Sequence, residues 1–318
     1  MAKPYRMSEA QILAKVEAAP GTAETLATAD QFIASNVQFK PSIAFTANSG
    51  MTGVHSKEPG VAGVRSGTIS FDIALKGSGT AGTAPEWRDC PMACGLSETI
   101  VGATSVTYAP AAAESYYTFG WIVPGLGGAT EDQLWRLAGC QGNMSLSWKA
   151  GEFHMASFSM TGVLQAPTDS SVVAVPTWDT TAPSAFLAPA MLVHTVSLAF
   201  ETFTMDMGNE VAIRPNANGA AGALTAQITG RRVVGTFDAE MEKLTTFDFF
   251  TRMTAGTTGA IAMTPVGAAG NKVDLDLPKV QISSIDIAER AGVAIINAGY
   301  AALRSGNAGN DEFSVILT

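Results

Sequence analysis

The feature that most constrains this chain is a repeated alternation of apolar and polar residues with period two. Residues 236–242 read Thr-Phe-Asp-Ala-Glu-Met-Glu, so an extended backbone puts Asp238, Glu240 and Glu242 on one face and Phe237, Ala239 and Met241 on the other. The same dyad recurs at 69–75, 143–148, 273–277 and 282–287. Strands apolar on one side only belong to antiparallel sheet with one face packed and one face wet. Residues 153–160 are apolar on both parities and predict a strand covered on both sides. Only two segments suit helices: 85–94, stopped by Gly95, and 245–253, followed by Gly256.

These segments reveal an internal repeat. Each helical stretch follows an alternating strand that carries Phe-Asp, at Phe71-Asp72 and at Phe237-Asp238, and Gly142-Asn143 and Gly270-Asn271 then open corresponding strand pairs. The chain therefore reads as two copies of a strand, strand, helix, strand, strand module. The first spans 1–165 and the second 190–318, with a Pro-bearing connector at 166–189. A length of 318 residues accommodates two mainly β modules of ordinary size.

Composition and motifs narrow the function. A formal charge of −9 excludes a protein that binds nucleic acid by counterion release from a basic surface. Three cysteines and no signal-peptide pattern at the start predict a reducing compartment and no disulfide framework. The apolar stretch 185–200 is broken by Pro189 and His194 and is too short to span a bilayer. Gly77-Ser78-Gly79-Thr80-Ala81-Gly82 matches a dinucleotide-loop spacing, but its strand alternates where a parallel Rossmann strand would be continuously apolar. Cys90 and Cys94 could join Cys140 or His154 around zinc. One close pair without a second suits packing on a helix better. His55 and His194 have no nucleophile in a recognisable elbow nearby, and three carboxylates on an open strand face suit solvation better than acid–base chemistry. No enzyme activity, cofactor or metal is expected. Residues 44–67 and 109–128 read as long loops rich in small residues. The first holds His55, the second Tyr116, Tyr117, Phe119 and Trp121, and both are expected to order against a neighbouring subunit.

Residues 76–87, followed by 92–99, together with 12–17, Gly142-Asn143, 166–169, Asp206-Met207-Gly208-Asn209, 255–259 and 309–313, resemble tail tube proteins of long-tailed bacteriophages in the same order along the chain. The resemblance implies two tandem β-sandwich tail-tube modules, each with a short flanking helix, whose inner strands form a shared barrel on oligomerisation. It further implies stacked rings of six modules around the passing double-stranded DNA, so that two modules per chain make homotrimeric, pseudo-hexameric rings. Four inner strands per module, about 4.8 Å apart and tilted about 40°, give a barrel radius of roughly 24 Å and a bore of about 38 Å once side chains are subtracted, wide enough for a duplex of about 20 Å. An anionic bore would repel phosphates and let DNA slide. Candidates for its lining are Asp72, Asp238, Glu240, Glu242, Asp274 and Asp276. Candidates for contacts between rings are Tyr116, Tyr117, Phe119, Trp121 and His55. Implied partners are the chain itself, a tape-measure protein, a tail terminator and distal tail proteins, with no membrane. The implied location is the virion tail, after assembly in the host bacterial cytoplasm. The alternative is a β-sandwich binding module such as an adhesin or lectin-like receptor-binding protein, which would work as a monomer or small oligomer.

Overall fold

The computed structural model describes residues 4–125, 132–169, 176–264 and 267–318. The parts of the expected loop at 126–128 and of the connector at 170–175 lie outside the described residues. The chain is 53% strand and 6% helix, as period-two patterning requires. Its first half contains β1 (Gln11–Val16), β2 (Ser35–Asn48), β3 (Glu58–Ala74), α1 (Asp89–Ala93), β4 (Leu96–Val101), β5 (Ser105–Pro110), β6 (Tyr117–Val123), β7 (Gln133–Lys149), β8 (Met155–Leu164) and β9 (Thr168–Asp169). The second contains β10 (Leu192–Val193), β11 (Val196–Ser197), β12 (Phe200–Asp206), β13 (Asn209–Pro215), β14 (Ala223–Arg231), β15 (Val234–Glu240), α2 (Phe249–Thr254), β16 (Thr258–Ala262), β17 (Val273–Arg290), β18 (Val293–Ala302) and β19 (Ser314–Leu317).

Among the described residues, eight strands pair antiparallel in the continuous order β2-β3-β8-β7-β12-β15-β18-β17. Each half thus places its strands in the same order, with the last strand between the second and third. The registers also repeat. Phe71 lies opposite Phe158 and Phe237 opposite Ala298, and β2 and β12 shift register at matching places, between Ser35 and Gln38 and between Phe200 and Phe203.

The long strands β7 and β17 run from this sheet into a second layer. The N-terminal half of β7 pairs with β6, which carries β1. That of β17 pairs with β16 and β19, and β19 continues through β5 to β4. One apolar core fills the space between the layers, including Phe71, Phe119, Phe158, Trp148, Phe203, Phe237 and Tyr300. Phe71 stacks on Phe158 at 5.5 Å and Phe203 on Tyr300 at 5.7 Å. Each such ring contributes about 1.5–3 kcal/mol by leaving water.

Four expectations are corrected. Residues 153–160 do not form a strand covered on both sides: Ser157 and Ser159 of β8 are exposed, Phe153 precedes the strand, and only Ala156, Phe158 and Met160 face the core. Both helices are single turns. Pro91 has no N–H to give Trp87, and Cys90 bonds that carbonyl instead, so α1 starts late. Asp248 accepts from the amide of Thr251 at 2.9 Å, and this cap starts α2 at Phe249. Residues 44–48 and 58–67 are strand, because β2 and β3 pair out to Asn48 opposite Glu58. Residues 117–123 are also strand, held on both sides by β1 and β7. Tyr117, Phe119 and Trp121 alternate with Thr118 and Gly120, but both parities are covered, so the strand has no wet face to mark it.

The glycine-rich run at 77–82 has a packing function. Gly77 accommodates the loop from the other half, since a Cβ there would lie 2.1 Å from the carbonyl oxygen of Gly270. The Gly77 amide donates to Asn271 Oδ1 at 2.8 Å, and that of Gly79 to the Gly270 carbonyl at 3.1 Å. Gly77→Ala should therefore push these loops apart and lower stability by about 1–3 kcal/mol, read as a lower urea midpoint with an unchanged m value.

Candidate functional site: a polar sheet face with two free edges

Because Ile69, Phe71 and Ile73 point into the core, their neighbours Thr68, Ser70 and Asp72 point to the opposite face of the sheet. Cross-strand pairing carries that face through Ser159 and Asn143, Ser157 and Ser145, then Thr204 and Thr236, to Gly299 and Ser284. These polar side chains are exposed or half-buried. The face is mostly hydroxyl, with carboxylates at Asp72, Asp206, Asp238, Glu240 and Asp286 outnumbering the cations Lys40, Lys149 and Arg290.

Asp72 and Asp238 occupy matching places beside the two strand bulges. Asp72 accepts from Asn36 Nδ2 at 2.7 Å and from Ser157 Oγ at 2.6 Å. Asp238 takes the amides of Glu201 and Thr202 at 2.9 and 2.5 Å, amides that the bulge frees from the ladder. Its other oxygen meets Arg290 Nη1 at 2.5 Å, and the same guanidinium lies 3.4 Å from both Glu201 and Glu240. Asp238 is thus largely buried and neutralised, whereas Asp72 forms no ion pair among the described residues.

Where β7 meets β12, the motifs Gly142-Asn143 and Asp206-Met207-Gly208-Asn209 come together. Asn143 Nδ2 donates to Asp206 at 2.7 Å, and the Asn209 amide donates to Asn143 Oδ1 at 2.9 Å. Asn209 Nδ2 reaches the carbonyls of Gly142 and Cys94 at 2.9 and 2.8 Å. These bonds fasten the two halves at the centre of the sheet.

The remaining sequence candidates lie elsewhere. Glu242 follows β15 and is exposed. Asp274 and Asp276 lie on the N-terminal half of β17, in the second layer, half-buried. Burial pushes the Asp274 carboxyl up to about 6 and raises that of Asp276. Tyr117 and Phe119 are corrected from loop contacts to core residues, fully inside because β6 is sandwiched between β1 and β7. Tyr116 is half-buried, and Trp121 stacks on Phe39 at 5.8 Å. His55 is exposed in the turn joining β2 and β3. That hairpin projects as an arm whose residues 41–59 are all exposed, with Ile43, Phe45, Met51 and Val54 unburied. Sequence reasoning missed Asp206 and Asp286, although the alternation at 282–287 already set Asp286 opposite in facing to Ile285 and Ile287.

Other polar candidates are structural. Cys90, Cys94 and Cys140 are fully buried, which raises their thiols above the usual range. His154 packs edge-on to Trp148 at 5.0 Å with Nδ1 3.1 Å from the Ser184 carbonyl, and burial lowers its pKa. Among the described residues, no group of three or more His, Cys, Asp or Glu is placed to hold a metal.

The sheet ends in two free edges. Among the described residues, β2 pairs only with β3, and residues 282–290 of β17 pair only with β18.

Two substitutions follow from this geometry. Asp238→Ala removes the acceptor of Arg290 Nη1 and of two amides and should cost about 2–4 kcal/mol in denaturant unfolding. Asp274→Asn should do the reverse at neutral pH. A carboxyl raised on folding favours the folded state fully only below its unfolded value of 3.8, and that contribution is lost as pH rises towards 6. The asparagine variant should melt roughly 2–4 °C above the parent at pH 7.5, and the difference should vanish at pH 3.5.

In comparison with family models, residues 7–302 match the phage tail tube protein model. No curated protein matches the chain. The matched span includes both halves of the long sheet, its polar face and both free edges, and the chain belongs to the phage tail tube protein family, a structural component of the virion tail.

Proposed function

We propose that this chain is a tail tube subunit whose eight-stranded sheet is one arc of a closed barrel, with three chains completing a ring and rings stacking into a tube that conducts double-stranded DNA. The observation that carries this reading is the single sheet running unbroken through both halves, packed on one face, polar on the other and, among the described residues, unpaired at both ends. A free edge is a template for another strand. Two different free edges on one sheet join head to tail, and such a contact closes into a ring when its rotation allows.

Three copies supply roughly 24 strands, a radius of about 24 Å and a bore of about 38 Å. Two modules, 1–165 and 190–318 with the connector 166–189, are supported by the repeated strand order and the repeated bulge. The polar face then lines the bore. Its hydroxyls carry no charge, and its carboxylates Asp72, Asp206, Asp238, Glu240 and Asp286 outnumber its cations Lys40, Lys149 and Arg290, so each ring holds the duplex weakly. Asp238 belongs to the same wall as the anchor of Arg290. Asp274, Asp276 and Glu242 have no place in this lining. The projecting β2–β3 arm, with His55 at its turn, reaches the neighbouring ring and buries its apolar residues there. A tape-measure protein inside, terminator and distal proteins at the ends, and assembly in the host cytoplasm complete the reading.

Electron microscopy of purified protein tests it. The expected images are annuli and tubes, with three chains per ring by native mass spectrometry. Monodisperse single chains under all conditions, or six chains per ring, would overturn it. Replacing residues 44–62 with Asn-Gly should leave rings that no longer stack, whereas normal tubes from this variant would remove the arm from the stacking contact.

A further inference from the structure

We propose that neighbouring chains join in the register already used inside the molecule between β7 and β12, so that Lys40 of one chain faces Asp286 of the next and Phe39 covers Ile287. This rests on reading the sheet as an arc of a ring, and it adds which residues meet at the seam.

The internal repeat serves as a ruler. Asp72 lies opposite Ser157, which lies opposite Ser145. Asp238 lies opposite Asn297, which lies opposite Asp286. Asp286 therefore stands on β17 where Ser145 stands on β7. Ser70 lies opposite Gln38 and Thr236 opposite Thr204, so Gln38 stands on β2 where Thr204 stands on β12, and Lys40 stands where Asp206 does. The matching bulges in β2 and β12 fix this alignment without a free shift.

At the internal junction, Ser145 faces Asp206, Leu146 faces Met205 and Ser147 faces Thr204. Carried over to the free edges, the same register sets Asp286 against Lys40, Ile287 against Phe39 and Ala288 against Gln38. The residues that would meet suit one another. Lys40 and Asp286 are both exposed, and neither is ion-paired among the described residues. Leu146 and Met205 are buried at the internal junction, whereas Ile287 is 69% exposed in the single chain and Phe39 only half-buried. A second copy supplies the missing cover. A slip of one residue would turn Ile287 to the polar face, and a slip of two would set Asp286 against Gln38 or Ser42, losing the charge pair.

Cysteines at the proposed facing pair test the register directly. Gln38→Cys with Ala288→Cys in one chain should give, on mild oxidation, a non-reducing gel ladder that ends at the trimer, while either single variant stays monomeric. The three native cysteines are fully buried and give a clean background. In parallel, Lys40→Glu and Asp286→Lys each set like charges face to face and should lower ring yield roughly fivefold or more. The doubly exchanged chain should recover it. Rings that form normally from the cysteine variant yet never cross-link, or single charge variants that assemble like the parent, would overturn this register while leaving the tube reading intact. Absence of rings from the unaltered chain would overturn both.

Discussion

The backbone hydrogen bonds between β7 and β12 hold the rest of the structure in place. Each half alone would present an open strand edge, with amides and carbonyls that need partners. At the middle of the chain the last strand of one four-stranded arc supplies them to the first strand of the other, from Thr202 opposite Lys149 to Asp206 opposite Ser145. That junction makes one continuous sheet of two similar halves. It also leaves the same kinds of edge unpaired at the two ends, where another copy can repeat the contact.

Everything on the packed side serves to hold this sheet in shape. The second layer is joined to it covalently, because β7 and β17 pass through both, and the aromatic core between the layers fixes facing along every strand. Facing then sorts the polar residues. Hydroxyls and amides fill the opposite face, and the carboxylates there are either bonded into the sheet, as with Asp238 and Arg290, or exposed in the single chain, as with Asp286. A polar face with more carboxylates than cations offers a polyanion little to adhere to.

Much of this was legible in the residues. The Phe-Asp pairs at 71–72 and 237–238 marked equivalent positions, and alternation at 69–75 and 143–148 placed Asp72 and Asn143 on the face where they lie. The glycine-rich run 77–82 stood out only as a loop spacing, and its close approach to Gly270 belongs to the tertiary structure. Less legible were strands without that contrast of faces. Along 58–67, Gly and Ala give little periodic contrast, and 117–123 is covered on both parities, so neither strand shows a packed face against a wet one. The arm made by β2 and β3 is set by cross-strand bonds to Asn48, and those bonds leave no mark on composition.

Asp274 shows the same limit. Its alternation with Val273 and Leu275 matches that of Asp238 with Phe237 and Ala239, yet the two aspartates lie in different layers. Local period determines which neighbours share a face, because successive side chains must point to opposite sides. It carries no information about which sheet that face belongs to. The sequence by itself therefore determined the mainly β class and the pairing of polar with apolar faces; it marked the two Phe-Asp strands as equivalent but matched Gly142-Asn143, inside β7, with Gly270-Asn271, which precedes β17. Only the tertiary structure decided where β7 and β17 cross between layers, which carboxylates meet Arg290 and which edges stay open, because these depend on contacts between residues far apart in the chain.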